Sequence, residues 1–355
     1  MFLLILTFVL ALMLSLYGVP LARQAALKYH IVDAPDGRLK HQREPVPYLG
    51  GFAIYLACLV SLTFTFEFRQ DILGIFLAGT LVMMLGLIDD FGVLTPRTKL
   101  AGQLLAVFVL IKSGIRIEIA AVPEWLDLIL TVFWMIGIIN AFNLLDIMDG
   151  LAAGIGAIGA IFLLIVALLN GDTATAFMLA ALIGSLLGFL RYNWQPAQIY
   201  MGDAGALFVG LMLGAMAMTG EYTGEHHISL LSPLLIFGIP IFDTLFVMYI
   251  RYLRHLPIFL GSPDHIAIRL RHWGMTVRQV VLLNFIATAL LGSLGIVVIV
   301  TAENVAIGLV AGTFALFIVA ALFLKRIDMA APRIATLPRS VTTVITPRGS
   351  GDTGI

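Results

Sequence analysis

Residues 86–103 read GLIDDFGVLTPRTKLAGQ, an apolar run that halts on two adjacent carboxylates, Asp89 and Asp90. A charged side chain near the bilayer centre costs at least ~2.5–3.5 kcal/mol. The pair therefore belongs at the end of a membrane helix, beside something that compensates its charge. Pro96 then interrupts the backbone, and Arg97 and Lys99 follow at once. Acid and base crowded into one short turn between two apolar runs describe a face that handles phosphate, with a cation between the like charges.

Working outward, composition fixes the class. The 355 residues are 60% apolar and 12% charged, against about 25% charged in an ordinary soluble domain. The expectation is an all-α polytopic membrane protein. At about 20 residues per span, apolar runs fall near 1–19, 48–66, 71–88, 99–112, 127–144, 154–169, 173–190, 203–220, 229–250, 279–300 and 303–324, which predicts eleven spans. The first run lacks a basic n-region and a clear small-residue cleavage site, so it is expected to stay as a helix. Residues 1–324 then form one transmembrane catalytic domain. Residues 325–355, rich in Pro, Thr, Gly and Arg, form a cytoplasmic tail expected to be disordered. The single Cys58 permits neither an intrachain disulfide nor a zinc site of cysteines.

Of the 21 Lys and Arg, all but Arg69, Lys112 and Arg116 fall on one alternate set of connections and the tail. That set is cytoplasmic by the positive-inside rule, with the N-terminus outside and the C-terminus inside. Asp89, Asp90, Asp146, Asp149, Asp203 and Asp264 land on the same side without having been used to assign it.

Further stretches feed that face. Residues 33–51, DAPDGRLKHQREPVPYLGG, make a Pro- and Gly-punctuated basic connector that either approaches a ligand or simply connects. In NAFNLLDIMDGLAAG, residues 140–154, a continuing helix would bring Asn143, Asp146 and Asp149 onto one face; otherwise they are polar caps on a solvated helix end. In RYNWQPAQIYMGDAGALFVG, residues 191–210, Asp203 stands where a helix begins, between Gly202 and Gly205. It is either a metal ligand or a helix cap, at a helix start whose free N–H groups would suit phosphate. Asp243, within FGIPIFDTLFV, is either a buried polar group bonded to a neighbouring helix or part of the site, the structural role being the favoured reading. The connector 251–279 carries Asp264, His265, Arg269, Arg271, His272 and Arg278, fit to wrap an anionic substrate or to lie on anionic lipid.

Several carboxylates and several cationic side chains thus converge on one membrane face, and carboxylates alone repel phosphate. Mg²⁺ resolves the conflict, because it takes one or two carboxylates and completes its shell with phosphate oxygens and water. Such a site clamps a diphosphate and aligns an attacking oxygen. At an interface, the second substrate is expected to be a lipid. There is no Walker loop, no G-x-G-x-x-G after a strand and no H-E-x-x-H, so neither a soluble-type nucleotide fold nor a nucleic-acid partner is expected.

LIDDFGVLTPRTKLAGQ, NAFNLLDIMDGLAAG, NWQPAQIYMGDAGALFVG and IPIFDTLFVMYIRYLR, in this order, resemble the polyprenyl-phosphate N-acetylhexosamine-1-phosphate transferases, from about Asp33 to about Gly274. The chain looks closest to the bacterial branch that uses UDP-GlcNAc, within glycosyltransferase family 4. The phospho-MurNAc-pentapeptide translocases are a more distant match. The resemblance implies transfer of a sugar-1-phosphate from a UDP-sugar to undecaprenyl phosphate at the bacterial inner membrane. UMP is released, Mg²⁺ or alternatively Mn²⁺ is required, and the product starts a cell-envelope polysaccharide. It implies that Asp89 and Asp90 engage or deprotonate the lipid phosphate, that Asn143 and Asp203 hold the metal, and that Asp146 and Asp149 serve the nucleotide. Lys99, His265 and Arg269 are implied near the phosphates. A homodimer is one assembly such a chain allows.

Two departures stand out. Ile147 replaces the Gly of D-G-x-D-G, and Ala267 and Ile268 replace two histidines of H-x-H-H-R-L. Alternative functions are transfer from another UDP-sugar or UDP-MurNAc-pentapeptide, a non-catalytic lipid-binding homologue, and a secondary transporter with carboxylates as ion carriers. The clustering of acids at one end and the lack of an inverted repeat weigh against the transporter.

Overall fold

A computed structural model describes residues 1–33, 46–65, 70–119, 122–220, 222, 227–257, 262–327 and 329. The elements in chain order begin with α1 Phe2–Lys28, a two-stranded antiparallel hairpin of β1 Val32–Asp33 and β2 Val46–Pro47, α2 Gly50–Thr65, α3 Gln70–Asp90 and α4 Pro96–Lys112. They continue with α5 Glu124–Leu145, α6 Leu151–Leu169, α7 Thr173–Asn193 and α8 Gly202–Met218. A 3-10 turn at His227–Leu231 leads into α9 Ser232–Ile236, then α10 Gly238–Leu253, α11 Ile266–His272, α12 Val277–Val300 and α13 Glu303–Lys325. The chain is an all-α polytopic membrane protein.

Every apolar run becomes helix, but eleven full spans do not follow. Among the described residues seven helices are long and apolar enough to cross a membrane, and an eighth arises if the bent pair 227–236 and 238–253 is one span. That pair turns by 76°. α2 and α8 hold 16 and 17 residues, which at 1.5 Å per residue reach only ~24–26 Å, short of a ~30 Å hydrocarbon core. Most of the connector 33–51 and most of the tail after Lys325 lie outside the described residues.

Local chemistry sets the helix ends. Thr95 caps α4 by accepting from the Thr98 N–H at 3.2 Å, with Pro96 as the first helical residue. Asp172 caps α7 through the Thr175 N–H at 3.1 Å, and Thr276 with Gln279 forms a reciprocal capping box on α12. The core is built around α8, buried from Ala204 to Ala217 and packed against α2, α3, α5 and α6. Small residues allow this closeness, since membrane helices associate through packing rather than hydrophobic exclusion from water. A Cβ on Gly51 of α2 would strike the backbone of Gly205 of α8.

Hydrogen bonds between residues far apart in sequence show which ends share a face. Arg23 of α1 donates to the Gln198 carbonyl, Arg278 of α12 donates to the Gln195 carbonyl, and the Ala197 N–H donates to Asp149. The ends of α1, α5 and α7 thus meet the starts of α6, α8 and α12 at one end of the bundle.

Candidate active site

Lys99, one turn into α4, sits at the centre of that face. Its Nζ lies 2.7 Å from Asp89 Oδ2 at the end of α3, 2.6 Å from Asp203 Oδ2 at the start of α8 and 2.8 Å from Asn143 Oδ1 near the end of α5. Asn143 Nδ2 also donates to Asp203 Oδ1 at 2.8 Å. Four helices are tied through one ammonium, and the Asp203 carboxyl keeps 34% of its surface exposed against 15% for Asp89. The cluster is therefore open on the Asp203 side.

Asp90 does something else. Its carboxylate accepts from the backbone N–H of Asp203 at 2.7 Å and of Ala204 at 3.3 Å. It caps α8 from a neighbouring helix, where free N–H groups and the helix dipole favour an anion. The capping role weighed for Asp203 therefore belongs to Asp90, and the helix start expected to suit phosphate already holds a carboxylate. Gly202 adopts φ +70, and a Cβ there would lie 2.7 Å from Asp90 Oδ2. Its freedom makes room for Asp90 rather than for a ligand.

The single helical face expected for Asn143, Asp146 and Asp149 is not formed. α5 stops at Leu145, Asp146 is its C-cap at φ −78 and ψ 55, and Gly150 enters α6 at φ +77. Asp146 remains beside the cluster. Burial first, then the negative charges of Asp203, Asp90 and Asp149, pushes its carboxyl up to about 7. Asp149 accepts from the Ala197 N–H at 3.0 Å and so fastens the α7–α8 loop to the α5–α6 turn; burial raises its pKa, opposed by that bond. Asn193 repeats the clasp, accepting from the Gly150 N–H and donating to the Ile199 carbonyl.

A second cluster surrounds α11. Asp243 of α10 accepts from His265 Nδ1 at 2.6 Å and from the Ile266 N–H at 2.7 Å, which bears out its reading as a buried group bonded to a neighbour. His265 is left with Nε2 as its other polar ring atom. Arg269 is 1% exposed. Its Nη2 pairs with Asp264 Oδ1 at 2.6 Å, its Nη1 donates to the Leu324 and Ile327 carbonyls at 3.0 and 3.3 Å, and its Nε donates to the Asp264 carbonyl at 3.3 Å. The expectation that Arg269 holds diphosphate does not fit this placement, because every guanidinium nitrogen is engaged in joining α11 to the end of α13. Arg254 completes the knot, with Nη1 at 3.1 Å from both Asp264 oxygens.

Gln103 and Asn140 were not singled out in the sequence. They exchange amide bonds of 3.2 and 2.9 Å between α4 and α5, one turn from Lys99 and from Asn143, and so hold those two in register. The signal was there: two amides inside apolar runs, at helical spacing from the two polar residues they support.

Among the described residues no three His, Cys, Asp or Glu side chains form a ready metal cage. What converges is two carboxylates and one amide oxygen around a positive charge. That hard-oxygen set suits Mg²⁺ completed by substrate oxygens and does not suit a soft metal.

Residues 72–221 match the family described as Glycosyl transferase family 4. The chain is 32% identical over 291 residues to the probable undecaprenyl-phosphate N-acetylglucosaminyl 1-phosphate transferase of Bacillus subtilis, covering 79% of this chain and 81% of that one. It is 34% identical over 306 residues to the decaprenyl-phosphate N-acetylglucosaminephosphotransferase of Mycolicibacterium smegmatis, covering 74% of each. A phospho-N-acetylmuramoyl-pentapeptide-transferase of Halalkalibacterium halodurans is 36% identical over 244 residues, 61% of this chain and 74% of that one.

Proposed function

The chain belongs to glycosyl transferase family 4, and from that premise we propose that it transfers GlcNAc-1-phosphate from UDP-GlcNAc to undecaprenyl phosphate, releasing UMP. The work is done at the cytoplasmic face of a bacterial plasma membrane and supplies the first lipid-linked sugar of an envelope polysaccharide. The single observation that carries this is the convergence of Asp89, Asn143 and Asp203, from three helices, on Lys99 Nζ. Relatives named for GlcNAc transfer to polyprenyl phosphates span most of the chain and support the substrates. The Lys and Arg distribution supports the cytoplasmic assignment.

In the step, an oxygen of the lipid phosphate forms a bond to the β-phosphorus of the UDP-sugar. The bond from that phosphorus to the bridging oxygen breaks, and UMP leaves with the oxygen. Asp203 and Asn143, with Asp89, would hold Mg²⁺ or Mn²⁺, which when bound neutralises diphosphate charge and aligns the two oxygens. Asp89 is the acid of the pair that orients the incoming lipid phosphate or takes its proton. Asp90 acts through α8, keeping Asp203 in position. Lys99 donates to phosphate oxygens as charge moves toward the leaving group, and Asp146 bounds the nucleotide side.

The test is a membrane assay with labelled UDP-GlcNAc, undecaprenyl phosphate and Mg²⁺. The expected result is label in the lipid fraction and free UMP, lost on chelation and reduced at least ~10²-fold in Asp89→Asn and Asp203→Asn. Vesicle uptake of label without lipid product, or product formation that ignores both substitutions, would sink the proposal.

A further inference from the structure

Lys99 bears on how the cation enters. Its ammonium is not beside the carboxylates but at the point on which they converge, within 2.8 Å of Asp89 Oδ2, Asp203 Oδ2 and Asn143 Oδ1. A divalent ion seated on those three oxygens, at its own oxygen distances of ~2.0–2.1 Å, leaves no space for an ammonium among them. We infer that Lys99 is a built-in counter-ion: it holds the acid cluster together before loading and must withdraw from between Asp89 and Asp203 for the divalent ion to enter. The inference rests on the metal-assisted transfer proposed above.

The geometry allows the exchange. Gln103, one turn further along α4, is locked to Asn140, so α4 stays in place while only the lysine stem moves. Lys99 keeps 17% of its side chain exposed and Asp203 keeps 34%, which gives the stem an outlet on the side where the cluster is open. The same ammonium is then free to meet a substrate phosphate, so one residue serves two anions in sequence. In this scheme the empty protein binds metal weakly and avoids both mutual repulsion of the acids and idle metal loading.

The probe is Mn²⁺ with the full-length protein in lipid nanodiscs, without nucleotide or lipid phosphate, followed by the magnetic resonance signal of the free aqua ion. Lys99→Met and Lys99→Gln are expected to bind Mn²⁺ about 10-fold or more tightly than the unsubstituted protein, since a competing charge is gone. Lys99→Arg is expected to bind no more tightly. A second measurement needs no substitution: acylation of the Lys99 amine, read by mass spectrometry, is expected to rise several-fold when Mg²⁺ is added. Equal or weaker Mn²⁺ binding by both neutral variants, or Lys99 labelling indifferent to Mg²⁺, overturns the inference. If metal-dependent lipid product is still made, the transfer reaction survives that failure. Metal-driven release of Lys99 with no product from any UDP-sugar would uphold the exchange and overturn the transfer.

Discussion

Asp146 shows how much one carboxyl depends on its surroundings. Desolvation first, then the charges of Asp203, Asp90 and Asp149, push its pKa from the ordinary 3.8 up to about 7 in the folded chain. The folded state therefore holds a proton that the unfolded chain releases, and stability attributable to this group falls as pH rises from about 4 to about 7, then levels off. With divalent ions chelated, the thermal midpoint is expected to drop by a few degrees between pH 5 and pH 8, and Asp146→Asn is expected to flatten that drop; an unchanged slope in the variant would exclude Asp146 as its source. At this scale the sequence was informative about identity and less so about role. Lys99, Asn143 and Asp203 were legible because polar side chains at the ends of lipid-length runs need partners. The exchange of roles between Asp90 and Asp203 was not, since a cap donated by another helix leaves no trace in local spacing.

Among elements, the contact of α3 with α8 decides the geometry of the cluster. A Cβ on Gly86 would lie 2.5 Å from the Asp203 carbonyl and from the Ala204 N–H. These are backbone atoms, so neither neighbour can rotate away. Gly86→Ala is expected to shift the first turn of α8, separate Asp203 from Asp89 and lower turnover at least ~10-fold, as measured by initial rates of lipid product. Gly102→Ala is the comparison, because the atoms nearest its Cβ belong to the Leu85 side chain, which can move; equal losses in the two variants would remove the special status of the α3–α8 contact. Helix identities could be read from apolar runs, but helix ends could not. The periodicity of Asn143, Asp146 and Asp149 continues in the sequence, while the chain itself turns at Leu145 and recovers through Gly150 at φ +77. The apolar run 229–250 hides a 76° bend, for which Pro233, Gly238 and Pro240 were the available signals.

The molecule as a whole is a sheath of helices around α8 with most of its ionic chemistry gathered at one end, the Arg116 pairs with Glu118 and Glu124 lying at the other, a division the charge distribution already implied. Its periphery is held differently from its centre. α13 has only 17% of its apolar window buried, so much of its anchorage is the Arg269–Asp264 knot at its final turn. Arg269→Ala would strip Asp264 of its shortest ion pair, leaving Arg254 and Ser262 on it, and would cut the tie to the Leu324 and Ile327 carbonyls, a loss of up to roughly 3–5 kcal/mol for a broken buried pair. The expected outcome is a clear fall in thermal midpoint with the KM for UDP-GlcNAc unchanged in the molecules that remain folded. A raised KM at constant thermal midpoint would instead return Arg269 to the diphosphate. The knot also sets an order in biosynthesis. Its last acceptors, the Leu324 and Ile327 carbonyls, lie 55 and 58 residues further along the chain than Arg269, so the clasp on α13 closes only when α12 and α13 are both in place. A chain cut before Leu324 is thereby expected to keep the Arg269–Asp264 pair but to lose the tie between α11 and the last helix.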